Sequence, residues 1–469
     1  MVFSSLTFLY AFLPIVLILY FISPMKIKNI IILVSGLLFY AWGEPVYIWA
    51  MIVSSLVDFI AGLIIDSSGN NEKKRKRALI VSMCVDLGLL FVFKYSGFAV
   101  GSINSVFGTE FPVPDLPLPI GISFYTFQSM SYTIDLYNRK IKVQKSFLNF
   151  FSYVSLFPQL VAGPIVRYED VQNEIDSRKV NVNNLGDGAS IFIKGLAKKV
   201  LLANNIGMLW TQVKAMDYGE ISVLTAWMGI LAFTFQIYFD FSGYSDMAVG
   251  LGKMLGFNFP QNFDHPYMSK SISEFWRRWH ITLGSWFRSY VYIPLGGNRD
   301  GKGKTLRNLA IVWLLTGLWH GASWNFIFWG AFYGILIIIE RLWLGKILEK
   351  LPAPISIAYT FILVVFGWVF FDTNTMTDAI SYLCAMFGGG GAFADNYALY
   401  TLRTFAVIFV LCIFASTDYF RRFTKWLSEK KETVNWYYIA VPVAQLAMMV
   451  LCTAYLVDAT YNPFLYFRF

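Results

Sequence analysis

Charge is what this chain has least of: 14% of its 469 residues are Asp, Glu, Lys or Arg, where soluble domains carry about 25%. So little charge cannot cover a water-soluble globule of that length. This excludes an ordinary cytosolic enzyme, a disordered chain and a fibrous one. Histidine is scarcer still, with only His265, His280 and His320. The four cysteines, Cys84, Cys384, Cys412 and Cys452, stand singly in apolar stretches, without a CxxC pair or any metal-ligand spacing. They read as buried small hydrophobes, and neither a metal site nor a cysteine nucleophile is expected. Catalytic signatures are missing too. There is no G-x-S-x-G elbow and no H-E-x-x-H, and Asn298 stands where the run ending Gly303-Lys304-Thr305 needs the first glycine of a P-loop.

What the chain does have is apolar length: 57% of it is hydrophobic. At about 20 residues per bilayer span, a dozen spans and short loops consume it. The expected fold is all-α and polytopic, a single membrane-embedded domain over 1–469. Apolar segments run at 4–22, 29–42, 46–65, 78–98, 118–136, 147–163, 188–207, 221–239, 308–320, 322–343, 354–371, 401–417 and 435–457, with boundaries good to about 2–4 residues. Several are too short for a full span, which predicts re-entrant or broken helices. Residues 4–22 lack a basic n-region and a cleavage site, so they read as a retained first span. The net charge of +9 sits in short loops, the positive-inside pattern rather than a nucleic-acid surface.

Orientation follows from those loops. Lys73, Lys74, Arg75, Lys76 and Arg77 are expected in one cytoplasmic connection. Arg421, Arg422, Lys425, Lys430 and Lys431 are expected in another. Counting spans places the N-terminus outside, sends 435–457 outward and leaves the tail 462–469 extracytoplasmic.

Four strings could carry chemistry. His320 lies in Trp319-His320-Gly-Ala-Ser-Trp-Asn325 between two apolar runs. At that depth an ionisable ring suits proton transfer, and a structural hydrogen bond between helices fits it equally. His280 ends Ser271-Ile-Ser-Glu274-Phe-Trp-Arg277-Arg278-Trp279-His280, where Ser271 and Glu274 predict a capping box and an interfacial helix. The string Gln236-Ile-Tyr238-Phe-Asp240-Phe-Ser-Gly-Tyr-Ser245-Asp246 interrupts an apolar run, and its two carboxylates fit a proton relay, the wall of an aqueous tunnel or, the commonest case, pairing with nearby arginines. Pro158-Gln159-Leu-Val-Ala-Gly163-Pro164-Ile-Val-Arg167 breaks a helix and predicts a re-entrant loop. The ending Phe464-Leu465-Tyr466-Phe467-Arg468-Phe469 reads, from composition, as an aromatic anchor.

Together the strings PQLVAGPIVRY, YFDFSGYSDMAVG, FWRRWHITL, YIPLGGN and WHGASWNFIFWG resemble the membrane-bound O-acyltransferase family, in its bacterial alginate and peptidoglycan O-acetyltransferase branch. The resemblance implies a multi-helix shell around a transmembrane tunnel in the bacterial plasma membrane, in contact with lipid. It implies catalytic His320 and His280, and a Tyr466 that carries the acyl group transiently. Gln159, Arg167, Tyr238, Asp246, Trp279, Trp319 and Asn325 are expected to line the tunnel. It also implies a thioester donor (acetyl-CoA or an acyl carrier), no permanently bound cofactor, an extracytoplasmic SGNH-type partner and a polysaccharide acceptor. Two alternatives are a proton-coupled transporter using Asp240, Asp246 and Arg167, and a lipid- or protein-acylating relative.

Overall fold

A computed structural model describes residues 1–429, 434–458, 462 and 465, with side chains of 434–438 set aside. Among the described residues every regular element is a helix, and seven helices are long and apolar enough to cross a membrane. The chain forms two compact units, Met1–Phe192 with Ser245–Gln261, and Ile193–Tyr244 with Asn262–Phe469.

In the first unit, Ile48–Ser67 and Glu72–Leu90 pack with Ile122–Tyr137, a helix buried along almost all its length. Buried serines and aspartates pair between these helices. The Ser54 hydroxyl donates to Asp86 at 2.6 Å, and Ser82 donates to Asp58. The expected basic loop at 73–77 is instead the first turns of the Glu72–Leu90 helix. Arg75 folds inward there and donates to the Tyr137 carbonyl at 2.6 Å, satisfying the end of a neighbouring helix. The second expected basic loop also begins as a helix, Tyr419–Glu429, up to the limit of the described residues. Residues 157–163 form one helical turn (Phe157–Leu160) and a buried bend, as the prolines predict.

The second unit holds Ile272–Arg278, Ile281–Phe287, the pair Lys302–His320 and Trp324–Ile339, Ala353–Asp372, Asn396–Ala415 and Val434–Asp458. The long helix Val223–Met254 supplies residues to both units. It carries the apolar segment expected at 221–239 on through the polar string to Met254. Asp240 is buried inside this continuous helix, where a lateral partner, Lys199, pairs with it without unwinding the backbone. Only Cys412 and Cys452 are buried as expected, while Cys84 and Cys384 are exposed.

Candidate active site

His320 owes its place to two glycines. Lys302–His320 and Trp324–Ile339 cross at Gly317 and Gly330. A Cβ on Gly317 would lie 2.3 Å from the Phe326 carbonyl oxygen, and one on Gly330 would lie 2.4 Å from that of Trp313. Backbone therefore meets backbone. The first helix ends just beyond, where Gly321 and Ser323 adopt extended backbone. Asn325 then anchors the second helix by donating to the Thr373 carbonyl at 2.8 Å.

The His320 ring is 5% exposed and packs edge-on against Trp319, Trp329 and Phe371, with centroids 5.0, 5.0 and 5.4 Å away. It borders a cavity of about 20 Å³ whose other walls include Asp240, Trp279, Trp329, Trp368 and Leu465. That is room for about one water.

His280 is presented differently. The expected helix from Ser271 forms, and the Ser271 hydroxyl accepts the Glu274 N–H at 3.0 Å. The reciprocal half of the box is displaced by one residue: the Glu274 carboxylate takes the Lys270 N–H at 2.9 Å. Phe275 and Trp279 point into the core rather than lying at an interface, and the helix stops at Arg278. His280 then takes a left-handed conformation (φ 45°) and becomes the N-cap of Ile281–Phe287.

Its Nδ1 stands 3.1 Å from Asn262 Oδ1. That oxygen already accepts the Thr282 N–H at 3.2 Å and the Thr282 hydroxyl at 2.9 Å. A backbone N–H can only donate, so the Asn262 atom is the acceptor and His280 Nδ1 carries the proton. Nε2 is left with the lone pair. His280 lies outside the seven candidate spans, and burial pushes its pKa down to about 3, so the ring is neutral. Trp319 touches both imidazoles, its ring 6.0 Å from His280 and 5.0 Å from His320.

Asp240 closes the set. A Cβ on Gly243, one turn along, would lie 2.7 Å from the Gly195 carbonyl oxygen, so the glycine lets the π-helical turn Lys198–Ala203 lie against the long helix. Lys199 Nζ then reaches Asp240 Oδ1 at 2.6 Å, both residues being buried. The partner is this lysine, not the expected arginine. Asp240 Oδ2 accepts the backbone N–H of Leu465 at 2.9 Å.

Of the other expected site residues, Tyr238 packs against Phe239, Tyr267 and Trp279. Gln159, Arg167 and Asp246 belong to the first unit. Gln159 donates to the Tyr153 carbonyl at 2.6 Å, and Arg167 caps Tyr168–Asp176 while pairing with Glu169 and Asp170. Tyr466 lies outside the described residues. Sequence reasoning missed Lys199, Asn262 and Leu465. Lys199 carried a usable signal, an ionisable side chain inside the apolar segment 188–207. Asn262 carried none.

The chain also matches known proteins along its length. Residues 136–371 match the family model of the membrane-bound O-acyltransferases (MBOAT). The chain is 39% identical to the probable alginate O-acetylase AlgI of Pseudomonas putida, with the whole of both chains covered. It is 42% identical to that of Azotobacter vinelandii, over 83% of this chain and 79% of that one. It is 32% identical to the peptidoglycan O-acetyltransferase of Helicobacter pylori, over 88% of each. The chain belongs to the membrane-bound O-acyltransferase family and is a multi-pass membrane acyltransferase.

Proposed function

We propose that this protein carries an acetyl group from a cytoplasmic thioester to the outer side of a bacterial plasma membrane, for O-acetylation of a polysaccharide. The names of its relatives, an alginate O-acetylase and a peptidoglycan O-acetyltransferase, support the group and the acceptor class. The observation that carries the mechanism is Leu465. Its N–H is bound to Asp240 and it walls the cavity of His320, and Tyr466 follows it in the chain.

The phenol of Tyr466 attacks the thioester carbonyl. His320 takes the phenolic proton, the C–O bond forms, the C–S bond breaks, and the thiolate leaves with that proton as the thiol. A phenol with a pKa of about 10 needs such a base near neutrality. Neutral His280, with its proton on Nδ1, presents Nε2 as an acceptor, and Trp319 holds the two rings in relation. The acyl ester then exchanges with an acceptor hydroxyl, for which an extracytoplasmic SGNH-type partner supplies a serine, and the phenol regains its proton. Both Asp240 oxygens are engaged, which weighs against a proton-carrying transporter.

The test is mass spectrometry of the C-terminal peptide after incubation with isotopically labelled acetyl-CoA. Label on Tyr466 in the wild type, lost in Tyr466→Phe and in His320→Ala, is the expected result. An unlabelled peptide from protein that turns over donor would sink the acyl-tyrosine.

A further inference from the structure

Serine and aspartate recur four residues apart in two helices of the first unit, as Ser54 and Asp58 in Ile48–Ser67 and as Ser82 and Asp86 in Glu72–Leu90. That spacing puts each pair on one helix face. The pairs cross: the Ser54 hydroxyl donates to Asp86 Oδ1 at 2.6 Å, and Ser82 donates to Asp58 Oδ1. The crossing brings the two carboxyl groups within hydrogen-bond reach of each other. Neither Asp58 Oδ2 nor Asp86 Oδ2 meets a hydroxyl or N–H donor among the described residues.

Depth and company set this pair apart. Asp58 lies about 14–15 Å from either end of its helix, and both residues are 1% exposed or less. The other buried aspartates among the described residues each face a lysine: Asp135 with Lys140 at 3.4 Å, Asp240 with Lys199 at 2.6 Å and Asp372 with Lys214 at 2.8 Å. Among the described residues no lysine or arginine pairs with Asp58 or Asp86. Two adjacent carboxylates at that depth do not both ionise. A carboxylate oxygen only accepts, so a bond between the two groups needs a proton.

We propose that Asp58 and Asp86 form a proton-binding site in the middle of the membrane, one proton shared between the two carboxyl groups and exchanged along a line of tyrosines. The remaining negative charge is held by hydroxyls, from Ser54 and Ser82 and from Ser129, which faces Asp58. The line begins at buried Tyr125, which interacts electrostatically with Asp86 and with Tyr40. Tyr40, buried as well, interacts in turn with Glu44. Neither phenol has a hydrogen-bond partner among the described residues. Each can therefore take a proton from one neighbour as it gives its own to the next. Half-buried Glu44 ends the line, just beyond the helix Met25–Ala41. Tyr132 also faces Asp58, but its hydroxyl is engaged, accepting the Gln144 N–H at 3.1 Å. The site lies wholly in the first unit and does not rest on the acyl-transfer reading.

The test is infrared spectroscopy of the full-length protein in detergent micelles at neutral pH, with and without aspartate isotopically labelled at its side-chain carboxyl carbon. We expect the carbonyl band of a protonated carboxylic acid, shifted by the label. It should vanish in Asp58→Asn and in Asp86→Asn, where an amide N–H replaces the shared proton. The labelled wild type reads the site even if a variant fails to fold, and the absence of a labelled acid band there would overturn it. A band merely halved in each variant would overturn the sharing, because it marks two separately protonated acids. A band that appears only when sodium is withdrawn would assign the site to that ion instead. On transfer to heavy water the band should shift at least about tenfold more slowly in Tyr125→Phe than in wild type. Equal rates would overturn the tyrosine line.

Discussion

His265 and His280 occupy the same backbone in two settings. Each sits in the left-handed region, at φ 46° and 45°, each caps the start of a helix, and each places Nδ1 3.1 Å from an oxygen. For His265 that oxygen is the Asp264 carboxylate, which also faces Arg421, and the ring is partly open to its surroundings. For His280 it is the Asn262 amide, and the ring is buried edge-on against Phe241 with centroids 4.7 Å apart. An identical turn thus sets a partly open imidazole against a carboxylate in one case and a buried, tautomer-fixed imidazole against an amide in the other. Partner charge and solvent decide the chemistry, and the turn decides only the direction.

That contrast can be pushed until it breaks. If aromatic burial beside the cavity is what makes a ring chemical, His320→Ala should lose most: a positioned base contributes about 10²–10⁴-fold. Turnover of acetyl-CoA by purified, correctly folded protein measures it, and retention of full activity would place the chemistry elsewhere. Next comes Asn262→Ala, which removes the tautomer lock without touching either ring. One lost hydrogen bond of about 1–1.5 kcal/mol predicts roughly tenfold slower turnover, and Asn262→Asp should not restore it, because a carboxylate makes the His280 site resemble that of His265.

The His280 turn also makes stability depend on pH. Burial lowers the folded pKa of His280 to about 3. The unfolded imidazole binds a proton near pH 6.5, so the stability due to the neutral ring is fully present above that pH. It is lost as pH falls toward the folded pKa. The slope attributable to this residue is about 1.4 kcal/mol per pH unit, and His280→Gln should flatten the melting temperature between pH 6.5 and 4 relative to wild type. Smallest of all is His265→Gln. Stability should stay within about 0.5 kcal/mol, as for other surface changes, and turnover within about twofold. A large loss there would erase the distinction between the turns.

Helix identity was legible because spans are long and uniformly apolar. Ala353–Asp372 and Val434–Asp458 lie within a residue of the segments 354–371 and 435–457. What composition hid was the side-to-side pairing of polar groups. Asp240 was expected to pair with an arginine because nothing in the linear sequence announces that Lys199, 41 positions earlier, is its neighbour. Arg75 looked like loop charge because its receiving carbonyl, at Tyr137, is far away in the chain. Both histidines of the site could be picked out by scarcity and depth. The tautomer of His280 could not, since it depends on an amide 18 residues away brought back by a bend.

The six-residue turn Lys198–Ala203 joins two ordinary helices, Val182–Ala197 and Asn204–Lys214, through wider winding. Such a joint separates length from phase. A π-helical turn takes up one residue more than an α-helical turn of about the same rotation, so deleting a residue there would leave the two halves nearly in phase and remove the bond from the Asn204 N–H to the Lys199 carbonyl. Anyone shortening or transplanting this scaffold must therefore count residues through that stretch, since an apparently redundant one sets Lys199 against Asp240.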